Sequence, residues 1–210
     1  MKKTKIAIID YSVGNTQSVF NAINTLGYEV IITNQKKFID NADIIVLPGV
    51  GAFKSCIDNI KQFGLDEILN EQVLKRGKPI LGICVGMQLM ATRSFENGEH
   101  YGFDWIPGDV VKFENSKDCK VPHVGWNNIN LKQDKPQIFD RLVGSPHFYF
   151  DHSYHFSCSY DHHIVAKVNY GIEVTAAIAK DNIYGVQFHP EKSQVNGLKL
   201  FRGIINLIKH

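Results

Sequence analysis

Charge of one sign is scarce in this chain. Its 210 residues carry 23 Lys and Arg against 21 Asp and Glu, a formal net charge of +2, and no Lys/Arg block exceeds two residues. Such a surface gives no reason to expect nucleic acid or an anionic membrane as partner. Cysteines are few and scattered, at Cys56, Cys84, Cys119 and Cys158. They form no C-x-x-C pair and no zinc-like spacing, so neither a disulfide framework nor a structural zinc is expected. The basic start, Met1 to Lys5, is followed only by Ile6-Ala7-Ile8-Ile9 before Asp10. That apolar run is too short for a signal peptide and far too short for a membrane span, so the expected location is the cytosol. There thiols stay reduced, and a catalytic thiol would stay available.

What is present suits one α/β domain over 1–210. A chain of this length can bury about 70% of its unfolded surface, enough for a core without staples. The first half alternates strand and helix. Strands are expected at 5–10, 28–33, 44–47 and 79–83, and helices at 15–26, through 57–74 and at 86–92. Strands separated by helix-length segments pair in parallel through βαβ crossovers, with ligands outside their carboxyl ends. The ends to watch are Asp10, Pro48 and Cys84. The second half has strand-like runs at 110–113, 148–150, 154–158, 164–168, 174–179 and 183–188, separated in places by turns such as Asp181-Asn182. They read as antiparallel additions to the central sheet. Residues 112–120 look loop-like, and 197–208 form a closing helix.

Two segments carry chemistry. Gly82-Ile83-Cys84-Val85-Gly86 has the G-x-C-x-G form of a nucleophile elbow, after a strand and before a helix. Small residues on both sides permit the sharp turn, and a helix N-terminus favours the thiolate. Read alone, the motif fits a packed core cysteine as well as a nucleophile. The second segment is Gln187-Phe188-His189-Pro190-Glu191. Side chains two apart in an extended segment face the same way, so Glu191 can fix the tautomer of His189. A surface His and Glu at a strand end is the bland alternative. His152 with His155, and His162 with His163, are close in sequence, but no zinc-protease or Cys/His framework surrounds them. No metal or cofactor is therefore expected.

Together, Leu81 to Gln88 and Gln187 to Glu191 resemble the signatures of the triad, or class I, glutamine amidotransferase family. The resemblance covers essentially the whole chain. It implies a flavodoxin-like α/β fold with a mostly parallel sheet and antiparallel additions. It also implies that Cys84 attacks the glutamine amide, with His189 as proton carrier and Glu191 as its orienter. Backbone N–H groups of Val50, Gly51 and Val85 would hold the oxyanion, and Gly49, Gln88 and Glu96 would bind glutamine. Within the family, Asp10 to Asn15, Leu47 to Phe53, Val121 to Asn127, Phe150 to Tyr154 and His189 to Ser193 resemble the branch of glutaminase subunits of imidazole glycerol phosphate synthase. Members of that branch form a heterodimer with a (β/α)₈ cyclase subunit that receives the ammonia. Asn15, Trp126, Tyr149 and Lys192 fall in the partner-facing segments.

Two positions depart from the common pattern: Val85 stands where leucine is usual, and Asp151 where an apolar residue is usual. Parts of the chain also resemble paralogues that supply ammonia for amidino-sugar synthesis. A non-catalytic binding protein and a peptidase on a similar sheet are the readings from other classes.

Overall fold

The computed structural model describes residues 3–117 and 119–208. Met1 and Lys2 of the basic start, and Asp118 of the loop-like segment, lie outside the described residues. The first half runs β1 (Lys5–Ile9), α1 (Thr16–Asn24), β2 (Glu29–Thr33), α2 (Lys36–Asn41), β3 (Ile44–Gly49), α3 (Phe53–Gln62), α4 (Leu65–Asn70), a π-helical turn at Glu71–Lys75, β4 (Ile80–Cys84) and α5 (Val85–Gln88). The second half runs β5 (Arg93–Ser94), β6 (His100–Tyr101), β7 (Gly108–Lys112), β8 (His123–Leu131), β9 (His147–His152), β10 (Tyr154–Cys158), β11 (Ile164–Tyr170), β12 (Ile172–Lys180), β13 (Ile183–Val186) and α6 (Gln194–Asn206).

Nine strands form one sheet in the order β2-β1-β3-β4-β13-β12-β11-β8-β9. From β2 to β13 the pairs are parallel, and from β13 to β9 they are antiparallel. Every residue of β3 and β4 is buried, because helices cover both faces of the parallel half. Each large aliphatic side chain buried there contributes about 1.5–3 kcal/mol. In α1, Val19 and Ile23 are one helical repeat apart and both face the core.

The pairing of β13 with β4 decides where the chemistry sits. Val186 pairs with Ile83, so two strands about a hundred positions apart in sequence end at the same sheet edge. The expected Asp181-Asn182 turn delivers β13 there, with Asp181 at φ +53°.

Three local expectations need correction. The helix expected at 86–92 is a single turn ending at Gln88. The carbonyls of Leu89, Met90 and Ala91 accept instead from the N–H groups of Phe103, Trp105, Ile106 and Asp104. The antiparallel strands do not all join the central sheet, since β10-β7-β5-β6 form a second one. Nine-residue β8 went unexpected: its first six residues pair with β9 and its last three with β11.

Candidate active site

Cys84 closes β4 and precedes the first residue of α5. Its backbone is at φ 54°, ψ −113°, a conformation that costs a non-glycine residue strain. The flanking glycines make it possible. A Cβ on Gly86 would lie 1.8 Å from the Leu47 carbonyl oxygen, and one on Gly82 would lie 2.6 Å from the Gly86 oxygen. The chain passes too close to β3 and to itself for any side chain at either place. The result is the sharp strand-to-helix turn that the G-x-C-x-G pattern predicts.

His189 follows β13. Its N–H donates to the Tyr149 carbonyl at 2.8 Å, and its own carbonyl accepts from Ser193 Oγ at 2.6 Å. Ser193 Oγ in turn accepts from the Tyr149 N–H at 3.0 Å, which ties the segment to β9. His189 Nδ1 and Glu191 Oε1 are 2.8 Å apart. The extended i, i+2 geometry expected for this pair is not what brings them together. Pro190–Lys192 form a 3₁₀ turn with Pro190 at its start, and the turn folds Glu191 back onto His189 Nδ1. Glu191 Oε1 also accepts from Asn15 Nδ2 at 3.4 Å. Burial lowers the affinity of His189 for a proton. Hydrogen bonding and charge attraction from Cys84 and Glu191 outweigh it, and the pKa rises to about 10. The imidazole is thus charged at neutral pH and lies against the Cys84 sulfur.

A cavity of about 300 Å³ opens over this pair. Its wall includes Cys84, His189, Val50, Gly51, Val85, Gln88, Glu96 and Lys192. Gly49 pairs with Cys84 across β3 and β4, and a Cβ on it would lie 2.6 Å from the Gly86 nitrogen. Gly51 is at φ +85°. Gly49 lets the β3 backbone pass against the elbow, and Gly51 takes a left-handed conformation at the cavity wall beside Val50. Glu96 accepts from the Phe53 N–H at 2.7 Å, at the start of α3, which holds it in the cavity wall.

Gln187 was not singled out by the sequence, although it lies within the His-Pro-Glu segment. It is fully buried, and its Nε2 donates to Cys84 Sγ at 3.7 Å. Its Oε1 accepts from Gln88 Nε2 at 3.0 Å. Only contact across β4 and β13 reveals it. The four positions expected to face a partner are linked side by side. Trp126 and Tyr149 pair across β8 and β9 with ring centroids 6.2 Å apart. Lys192 lies over Tyr149, and Asn15 reaches Glu191. Trp126 is 46% exposed, large for an aromatic side chain, and suits an interface rather than the core. His152 bonds to His123, from a different strand, while His155 lies near enough to act on its charge and packs on the same Phe113 ring.

The model of the family described as Glutamine amidotransferase class-I matches residues 7–205. The chain belongs to that family. This amidotransferase is 45% identical over 206 residues to Imidazole glycerol phosphate synthase subunit HisH 2 of Vibrio vulnificus, covering 98% of this chain and 95% of the relative. It is 44% identical over 202 residues to Imidazole glycerol phosphate synthase subunit HisH 1 of Campylobacter jejuni, covering 96% and 100%. Among solved structures, PurLQS from Thermotoga maritima superposes with a TM-score of 0.71 at 18% identity, covering 99% of this chain and 100% of that one. The glutaminase domain of Trypanosoma brucei CTPS, with bound acivicin, gives a TM-score of 0.67 at 15% identity, covering 97% and 94%. At such identities the structures establish the shared amidotransferase fold.

Proposed function

We propose that this amidotransferase is the glutaminase subunit of an imidazole glycerol phosphate synthase. The observation that carries the pathway is the near-full-length identity to relatives of that name. The chemistry rests on a sulfur and a charged imidazole meeting over one cavity.

Glutamine enters with its ammonium toward Glu96, a charge-assisted pairing. Cys84 thiolate attacks the side-chain amide carbon. The oxyanion that forms is held by the N–H groups of Val50, Gly51 and Val85, with Gly49 and Gln88 shaping the site. As the tetrahedral adduct collapses, His189 passes its proton to the departing ammonia and the glutamyl thioester remains. Neutral His189 then takes a proton from water as the hydroxide attacks the thioester carbon, and collapse of the adduct breaks the C–S bond, expelling Cys84 thiolate beside the restored imidazolium as glutamate leaves. Glu191 keeps the ring oriented and its charge compensated throughout.

No cofactor enters any of these steps. The (β/α)₈ cyclase partner docks as a heterodimer on the face holding Asn15, Trp126, Tyr149 and Lys192. A single domain over 1–210 and a cytoplasmic setting complete the proposal. No helix among the described residues is long and apolar enough to cross a membrane.

The test is glutamate release with and without a histidine-pathway cyclase, read together with imidazole glycerol phosphate formation. Coupled formation of both products is expected. Glutamine hydrolysis that no such cyclase stimulates or consumes would assign the chain to the amidino-sugar pathway. No hydrolysis under either condition would make it a binding protein.

A further inference from the structure

From the cavity wall runs a row of polar groups of which the glutaminase steps above use only Gln88 and Cys84. His152 lines the cavity. Only 6% of it is exposed, and its Nδ1 is 2.8 Å from the Tyr154 carbonyl oxygen. A carbonyl only accepts, so Nδ1 carries the hydrogen. Its Nε2 lies 2.9 Å from Nδ1 of His123, itself 2% exposed.

The far end sets the other tautomer independently. Asn127 Nδ2 donates to the Asn169 carbonyl at 3.0 Å, while its Oδ1 accepts from the Asn128 N–H at 2.8 Å. The amide orientation is thereby fixed, and Nδ2 points its second hydrogen at His123 Nε2, 3.4 Å away. His123 must then accept at Nε2 and donate from Nδ1. Read from either end, the direction agrees: Asn127 to His123, His123 to His152, His152 to Tyr154. Both rings are neutral. Phe113, Phe150 and Tyr170 pack around His123, and burial lowers it to about 4. Burial also lowers His152 to about 3, with His123, His155 and His189 as its titratable neighbours.

The Tyr154 carbonyl has a second donor. Gln88 Nε2 reaches it at 3.0 Å and spends its other hydrogen on Gln187 Oε1, leaving Gln187 Nε2 to address Cys84 Sγ. The row therefore starts on β8, next to exposed Trp126, and ends on the nucleophile.

We propose that His152 and His123 are positioning residues for this amidotransferase: a tautomer-locked neutral pair that fixes the Tyr154 carbonyl on which Gln88 is anchored and so, through Gln88 and Gln187, joins the partner-facing strand to the Cys84 sulfur. The inference rests on the glutaminase reading for its consequence, but its geometry is testable without it. Gln187 offers an N–H to the sulfur, so displacing it removes a hydrogen bond that orients Cys84 Sγ, an interaction worth about tenfold or more in a rate that depends on it. A conventional buried packing histidine would leave that rate alone.

The experiment uses the full chain and three measurements. Nitrogen-15 chemical shifts of the histidine rings should place the proton on Nδ1 of both His123 and His152, with neither ring taking up a proton between pH 5.5 and 8. A ring protonated at Nε2, or one titrating in that range, overturns the proposal. Alkylation of Cys84 by iodoacetamide at pH 7 should slow about tenfold in His152→Phe. In His152→Asn, whose amide still donates to Tyr154, it should stay within about threefold of wild type. Glutamine turnover with a cyclase partner should fall in kcat for His152→Phe and recover in His152→Asn. Equal alkylation rates in all three folded proteins, checked by circular dichroism, would reduce the pair to packing. A chain that hydrolyses no glutamine at all, yet gives the expected shifts and alkylation rates, would sink the proposed function and leave the positioning pair standing.

Discussion

His189 Nδ1 sits 2.8 Å from Glu191 Oε1, with the two side chains only 3% and 1% exposed. A buried histidine ordinarily loses its charge, as His123 and His152 do. At His189 burial pulls the same way, but Cys84 and Glu191 reverse it and the pKa rises to about 10. One short chain thus holds neutral and charged imidazoles within one site, sorted by their partners.

The sign of that shift fixes a pH dependence. A histidine with a raised pKa is charged below it, so activity that needs the imidazolium persists up to about pH 10 and is lost above. Glu191→Gln removes one of the two groups that raise it. The alkaline limb of the glutaminase pH profile should move down by about 1–3 pH units in that variant. An unmoved limb would mean that another group sets it.

Gly86 has no room for a methyl group, because a Cβ there would meet the Leu47 carbonyl at 1.8 Å. That carbonyl belongs to a central strand and cannot swing aside. Gly86→Ala should cost about 3 kcal/mol in urea unfolding, at the upper end of overpacking effects, and abolish glutamine hydrolysis. Alanine at Gly27, where a Cβ meets nothing within 4 Å, is the control for substitution without a clash, though its φ of +81° carries its own strain.

Glu96 has two tasks that one substitution separates. Glu96→Gln keeps an oxygen for the Phe53 N–H but removes the charge. KM for glutamine should rise about 10–100-fold, the equivalent of about 1.5–3 kcal/mol for a hydrogen bond to a charged group, with kcat and stability little changed. A kcat loss without a KM change would move Glu96 from binding to chemistry.

Trp126 is exposed on β8, stacked edge-on against His147 and Tyr149. Trp126→Ala should weaken cyclase binding about 30-fold or more, the loss typical of an aromatic anchor, and leave the melting temperature of the isolated chain unchanged. Binding is read by calorimetric titration. An unchanged Kd would place the interface elsewhere.

The elbow was legible in the sequence because its requirement is local: Gly82 and Gly86 are glycine since the backbone leaves no space, and spacing alone reports that. The parallel half of the sheet was legible because β3 and β4 are buried on both faces and read as unbroken apolar runs. β8 was not, because its buried and exposed residues alternate over a largely polar stretch. The short α5 was misjudged, since the carbonyls that stop it are taken by Phe103 to Ile106, beyond any local pattern. Gln187, His123 and His152 escaped for the same reason. His152 was weighed with His155 by proximity in sequence, whereas its partner is 29 residues away.

The most direct test of the account is acid-quenched mass spectrometry of the chain, with its cyclase partner, during glutamine turnover. One glutamyl group should appear on the peptide containing Cys84, accumulate when hydrolysis is slowed in His189→Asn, and vanish in Cys84→Ala while the complex still uses free ammonia. Glutamine consumed with no acyl group on Cys84 in any variant, or with the group on Cys56, Cys119 or Cys158, would contradict it.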